Sequence, residues 1–114
     1  MSKSGTKSGK PQQEPSVVHL AGSVDLEHAP GVRKMLLDAV ALGRNVLVDL
    51  SAASYIDSSG IACLIEALQK ARSAGSDLGL VAVSIQAMRV LELARLDMVF
   101  PIHDDIAAAT AAGA

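Results

Sequence analysis

Seven consecutive residues concentrate the groups able to do chemistry: Tyr55-Ile56-Asp57-Ser58-Ser59-Gly60-Ile61. They set two hydroxyls and a carboxylate between an apolar run and the start of a helical pattern. The first N–H groups of a helix lack internal partners. A Ser or Asp oxygen satisfies them, so one reading is a plain N-cap. A second reading uses the same geometry. A helix N-terminus accommodates an added anion, so backbone N–H groups would hold a phosphate on a Ser here. The phosphate would bring nearly two negative charges to an exposed corner. That charge would repel an acidic partner surface or block a close-packed one. The residues alone leave both readings open, and the second makes the segment a binding switch.

Other chemistry finds less support. A hydrolase nucleophile elbow needs Gly two residues before the Ser, and Ile56 stands there before Ser58. His19, His28 and His103 are scattered, with no metal-ligand spacing among them. His19 is expected on a strand face, and His28 and His103 in solvent-facing loops. Cys63 lies just off an apolar helical stripe, where packing is expected over reactivity. Gly75 and Gly79 lack the spacing of a phosphate cradle. Arg33, Lys34, Lys70, Arg72, Arg89 and Arg95 read as solvated helix faces. No metal and no cofactor are expected.

The elements that position the seven residues follow from periodicity. Val17–Ala21 is β-rich and closed by Gly22, and Ser23–Leu26 continues extended before turning. Pro30 and Gly31 open a helix, with Val32, Met35, Leu36, Ala39 and Val40 on one face and Gly43 at its end. Asn45–Leu50 is nearly continuous in apolar character and reads as a central strand covered on both faces. Residues 51–59, rich in Ser and Ala, read as a loop. A second helix follows from Gly60 or Ile61, carrying Ile61, Leu64, Ile65 and Leu68 and stopped by Gly75. Leu78–Val83 is a third strand, and Ser84 caps a third helix. Val99–Ile102 is a short last strand, with Pro101 marking an edge. Asp104 and Asp105 cap an Ala-rich terminal helix. Strands alternating with helices predict a mainly parallel sheet covered by helices. The seven-residue segment then lies where strands end and helices begin, the functional edge of an α/β sheet.

Composition removes other classes. The 114 residues fit one domain, half are hydrophobic, and only Tyr55 and Phe100 are aromatic. With a formal net charge of −2, no basic stripe and no stacking aromatics, direct nucleic-acid binding is not expected. No apolar run approaches the roughly 18 residues of a membrane helix, so no membrane insertion is expected. A single Cys forms no disulfide within the chain and fits a reduced, cytoplasmic setting. Residues 1–15 carry Lys3, Lys7 and Lys10 against Glu14, with Ser, Gly and Pro among them. They are expected to form a flexible tail without a signal-peptide core. Residues 16–114 form the domain.

Four segments, in order, resemble the STAS family, the sulfate transporter and anti-sigma factor antagonist domains. Val18-His19-Leu20-Ala21-Gly22-Ser23-Val24-Asp25 is similar to that family's strand ending in Gly-Glu-Leu-Asp. Asn45–Leu50 is similar to its central strand. Ile56-Asp57-Ser58-Ser59-Gly60-Ile61 resembles its Asp-Ser-Ser-Gly phosphorylation loop, and Val90–Ile102 its last helix and strand. Together they cover about residues 16–110. The resemblance implies an α/β single domain with a small mixed, mostly parallel sheet of four or five strands and about four helices. It also implies a regulatory binding protein and not an enzyme. Its partners would be an anti-sigma factor that is also a serine kinase, and a phosphatase that resets the switch. Carried residue by residue, Ser58 is the phospho-acceptor, Asp25 and Asp57 are the flanking acidic positions, and Ser59 and Gly60 complete the loop and helix start.

The chain departs from the family at three places. Ser23 stands for the family's Glu, Arg95 for a frequent Gly, and Gln12-Gln13-Glu14-Pro15 where the family has a first strand. The resemblance also admits an alternative, a small STAS subunit docked on the ATPase of a lipid or solute ABC transporter. Such members often lack the acceptor Ser that this chain keeps.

Overall fold

The computed structural model describes residues 14–114. The expected tail at residues 1–15 lies almost wholly outside the described residues, and only Glu14 and Pro15 are seen, without regular structure, before the first strand. The segment Gln12-Gln13-Glu14-Pro15, where the family has a first strand, likewise falls largely outside them.

The elements alternate: β1 (Ser16–Val24), α1 (Ala29–Ala41), β2 (Val46–Ile56), α2 (Ser58–Ser73), β3 (Leu78–Val81), α3 (Ile85–Leu93), a 3-10 turn (Leu96–Met98), β4 (Ile102–His103) and α4 (Ile106–Ala111). The described strands form one sheet in the order β1-β2-β3-β4, and every neighbouring pair is parallel. Among the described residues the sheet is parallel throughout, in line with the expected small, mostly parallel sheet of four or five strands. Each strand is followed by a helix that returns the chain to the same end, which is the connection parallel pairing requires.

Val46, Val48 and Leu50 of β2 are fully buried on one face, in the main core with Val32, Leu36 and Val40 of α1 and Leu64, Ala67, Leu68 and Ala71 of α2. On the other face Leu47 and Val81 meet Ala109 of α4 in a second, smaller cluster. Burial on both faces explains the apolar run of β2. Arg33 of α1 donates two 2.7 Å hydrogen bonds to the Glu66 carboxylate of α2, fixing the two helices that flank the seven-residue segment.

The largest difference from expectation concerns residues 51–59. They are not a loop: β2 runs on to Ile56, and α2 starts at Ser58. The extension pairs only with β1, Ala21 with Ala52, Gly22 with Ala53, Ser23 with Tyr55 and Val24 with Ile56, through two register shifts. Ser and Ala are weak strand formers, so local propensity points to a loop. Burial of Ala53 and Ile56 overrides it. Smaller differences occur at the other ends. The first strand takes in Ser16 and extends to Val24. β3 stops at Val81, because Ala82 turns to φ 51°. The last strand shifts from Val99–Ile102 to Ile102–His103, since the chain coils into the Leu96–Met98 turn first.

Arg95 sits in left-handed backbone, φ 61° and ψ 24°, just beyond α3. That conformation costs a residue with a Cβ about 1 kcal/mol and is the usual place for Gly. Arg95→Gly is expected to stabilise the chain by about 0.5 kcal/mol, after its greater loss of unfolded-state entropy. Urea melts of the two chains check this, and a lower midpoint for the variant would contradict it.

Candidate functional site

Asp57 organises the segment. As N-cap of α2, its Oδ1 accepts hydrogen bonds from the N–H groups of Ser59 (2.9 Å) and Gly60 (3.1 Å). Its backbone carbonyl accepts from Ile61 N–H at 3.0 Å. Its Oδ2 accepts from Leu26 N–H at 3.2 Å, and its own N–H donates to the Val24 carbonyl at 3.2 Å. One residue thus ties the helix start to the end of β1 and to the β1–α1 connection, residues 25–28. The cap is the Asp, which leaves the serines free of that duty.

Ser58 is the first residue of α2 and is exposed. Among the described residues its hydroxyl makes no hydrogen bond. Ser59 is half-buried. The amides of Ser59, Gly60 and Ile61 are already committed to Asp57, so a phosphate on Ser58 would not find them waiting, as the sequence reading supposed. It would stand outward, beside a carboxylate. Gly60 is buried against the sheet: a Cβ there would collide with the Val24 carbonyl oxygen and lie 2.8 Å from Val24 Cγ1. Only glycine lets the helix start this close to the strands.

Asp25 is half-buried and its Oδ1 accepts from His28 N–H at 3.2 Å and pairs with His28 Nδ1 at 2.7 Å. The hydrogen bond from His28 holds Asp25 below its ordinary 3.8, and Asp25 raises His28 above 6.5. The raised His28 contributes stability that is complete below pH 6.5 and disappears as pH rises through its raised value. The lowered Asp25 contributes above pH 3.8 and fades as pH falls through its lowered value. The contact is therefore strongest between those two ordinary values. Asp25→Asn is expected to return the His28 titration, followed by NMR, toward 6.5. An unmoved His28 would show that Asp25 is not its partner in solution.

The ligand atoms of Asp25, Glu27 and His28 lie within 4.8 Å of one another, although no metal-ligand spacing partner was expected for His28. The Asp25–His28 hydrogen bond already engages two of these groups. His19 lies exposed on the β1 face as expected and pairs with Asp49 at 2.7 Å. Partial burial pushes the Asp49 carboxyl up, but the hydrogen bonds from Ser51 and His19 outweigh it and hold it low. Cys63 is buried, its Sγ 3.6 Å from the Ala29 carbonyl, and burial pushes its thiol up. That fits packing. No helix among the described residues is long and apolar enough to cross a membrane.

Two exposed side chains flank the site, and only Tyr55 was singled out from the sequence, as part of the seven-residue segment. Leu26 is 73% exposed although its N–H is fixed by Asp57, and Tyr55 is 53% exposed at the end of β2. The signal for Tyr55 was its rarity, as one of two aromatic residues. The signal for Leu26 is in the tertiary hydrogen bond alone.

The chain is 30% identical over 88 residues to an anti-sigma-B factor antagonist of Listeria monocytogenes, 76% of this chain and 77% of that one. Among solved structures, an anti-sigma factor antagonist from Mycobacterium paratuberculosis superposes with a TM-score of 0.79 at 27% identity, covering 89% of this chain and 86% of that one. A sulfate transporter family protein from Wolinella succinogenes shares the fold, with a TM-score of 0.74 at 19% identity over 88% of this chain and 84% of that one. A family model, the STAS domain, matches residues 9–109. With the parallel sheet, the Asp57-capped helix and the matched span in agreement, the chain belongs to the STAS domain family.

Proposed function

We propose that this chain is an anti-sigma factor antagonist that binds an anti-sigma factor with serine kinase activity, and that phosphorylation of Ser58 ends the binding. The supporting observation is the state of Ser58. It is exposed, unengaged among the described residues, and held at a fixed helix start by a neighbour that does all the capping. A kinase needs such a hydroxyl, since it must bring the γ-phosphate of ATP in line with the attacking oxygen. After transfer, the phosphoryl group stands beside Asp57 and faces the remaining phosphates of the nucleotide, and both contacts oppose a close complex. A phosphatase then restores the free serine. The same exposure argues for binding over turnover: Ser58 Oγ engages no base among the described residues, as a nucleophile would. On this reading the protein works in the cytoplasm, where a sigma factor acts.

The test is phosphate transfer. The purified anti-sigma factor of the same genome, with ATP and magnesium, is expected to add one phosphate, located at Ser58 by mass spectrometry. Ser58→Ala is expected to take up none, and Ser59→Ala to behave as the parent chain. Phosphate on another residue, or none at all, would overturn the proposal. An ATPase of a transporter recovered as the stable partner of both Ser58→Ala and Ser58→Asp would support the docking-subunit reading instead.

A further inference from the structure

Helix α3 turns large apolar side chains to water. Ser84 caps its start, and Ala87 and Leu91 pack it onto the core. Its opposite side carries Ile85, Arg89, Glu92 and Leu93, whose three-, four- and seven-residue spacings place them on one face. Ile85 is 72% exposed and Leu93 87%. The chain then coils into the Leu96–Met98 turn, where Met98 is 82% exposed and the following Val99 42%. This turn is held in place. Arg95 N–H donates to the Glu92 carbonyl and Val99 N–H to the Leu96 carbonyl, both at 3.0 Å, and the buried Phe100 anchors its end. Apolar groups fixed in water on rigid backbone mark a contact surface.

The charges on this face differ from those on the neighbouring helices. Arg33 and Lys34 of α1 and Arg72 of α2 each pair with an acidic residue of the chain. Arg89, Glu92, Arg95 and Asp97 are all exposed, and among the described residues none of their side chains makes an ion pair or a hydrogen bond. They number two of each sign, so the face is neutral. Arg89 and Glu92 lie at its middle, with Ile85 before them and Leu93, Met98 and Val99 after. Along the helix the order is apolar, basic, acidic, apolar.

We infer that this chain self-associates through α3 and the turn that follows it, as a two-fold dimer. The order of groups is complementary to itself. A two-fold axis between Arg89 and Glu92 sets two α3 helices antiparallel. Arg89 of each protomer then meets Glu92 of its partner, and Ile85 of each covers the Leu93–Met98 end of the other. A two-fold contact makes each of these pairings twice. Charge complementarity commits the occupant. Nucleic acid, anionic lipid or a uniformly basic protein face would meet like charges here, whereas a second copy meets opposite ones throughout. The contact is as long as α3, about 14 Å. That is smaller than the roughly 800 Å² per partner of a standard interface, so the dissociation constant is expected at about 10 to 100 μM. The Asp57 cap takes no part, so the inference goes beyond the switch proposed above and does not rest on it.

The experiment is sedimentation velocity of the full chain from about 5 μM to about 1 mM, a range that brackets the expected constant. The wild-type chain is expected to pass from monomer to dimer across it. Arg89→Glu and Glu92→Arg are each expected to weaken the dimer at least about tenfold, because each sets like charges against one another twice. Mixed in equal amounts, the two variants are expected to form a dimer again. A change confined within one helix cannot produce that recovery, since neither chain alters on mixing. Leu93→Ala with Met98→Ala is expected to weaken the dimer about tenfold without touching a charge. All four positions are exposed, and circular dichroism verifies folding. A wild-type chain that stays monomeric throughout would overturn the inference. So would a dimer that these variants leave unchanged, which would lie on another face, or a mixture that associates no better than either variant alone. None of these results bears on Ser58, whose phosphate transfer is measured separately.

Discussion

Gly60→Ala is expected to lose about 3 kcal/mol of stability, a fall in melting temperature of more than about 10 °C. The direction is not obvious from propensity, because Ala in a helix is favoured over Gly by about 1 kcal/mol. Close packing reverses it. The added methyl would collide with the Val24 carbonyl oxygen and stand 2.8 Å from Val24 Cγ1 and 3.0 Å from Ile56 Cγ1. A flexible side chain would swing away, but the first of these neighbours is backbone. That carbonyl also accepts the N–H of Asp57, so moving it breaks the bond that seats the cap. The helix must then start farther from the sheet, and Asp57 loses its simultaneous hold on Leu26, Ser59 and Gly60. Urea denaturation gives the stability directly. A variant within about 0.5 kcal/mol of the parent would show that the helix start shifts freely, and that the site is not rigidly placed.

How much of this arrangement the sequence discloses depends on where each residue's partners lie. Asp57, Ser58 and Gly60 are legible because a helix start has local rules: a capping oxygen, small residues and an apolar stripe behind them. Ser84 and Asp105 cap their helices for the same reason, accepting from Ala87 and Ala108 N–H. The extension of β2 through Ser51–Ile56 is not legible. Its strand state comes from pairing with β1, about thirty residues away, and from burying Ala53 and Ile56. The role of Leu26 is hidden similarly, since its constraint is one N–H bonded to a carboxylate 31 residues on. Which group takes the free amides of the helix start is hidden for a subtler reason. A helix N-terminus does offer amides to an anion, but here Asp57 has already taken those of Ser59 and Gly60. If Ser58 is the acceptor, as proposed above, the geometry would keep a phosphoryl group added there at the surface.

Ser58→Asp is expected to weaken binding to the anti-sigma factor at least about 100-fold, or about 2.7 kcal/mol, while Ser58→Ala stays within about threefold of wild type. The fold should not be the cause. An acidic residue in the first turn of a helix is stabilised by the helix dipole, and Ser58 is exposed with no hydrogen bond to lose among the described residues. Its melting temperature is therefore expected to stay within a few degrees of the parent. The loss arises in the complex. In the proposed complex, a carboxylate at this position would face the nucleotide phosphates of the kinase. It would also have to shed water at a contact that the parent chain makes with an uncharged serine. An unpaired charge buried at an interface costs several kcal/mol, so even a partial effect exceeds the hundredfold mark. Full phosphoserine, with nearly twice the charge, should lose more. Isothermal titration of the two variants against the purified partner decides it. Equal affinities for Ser58→Asp and wild type would leave the binding without its switch and return Ser58 to a simple helix-start residue.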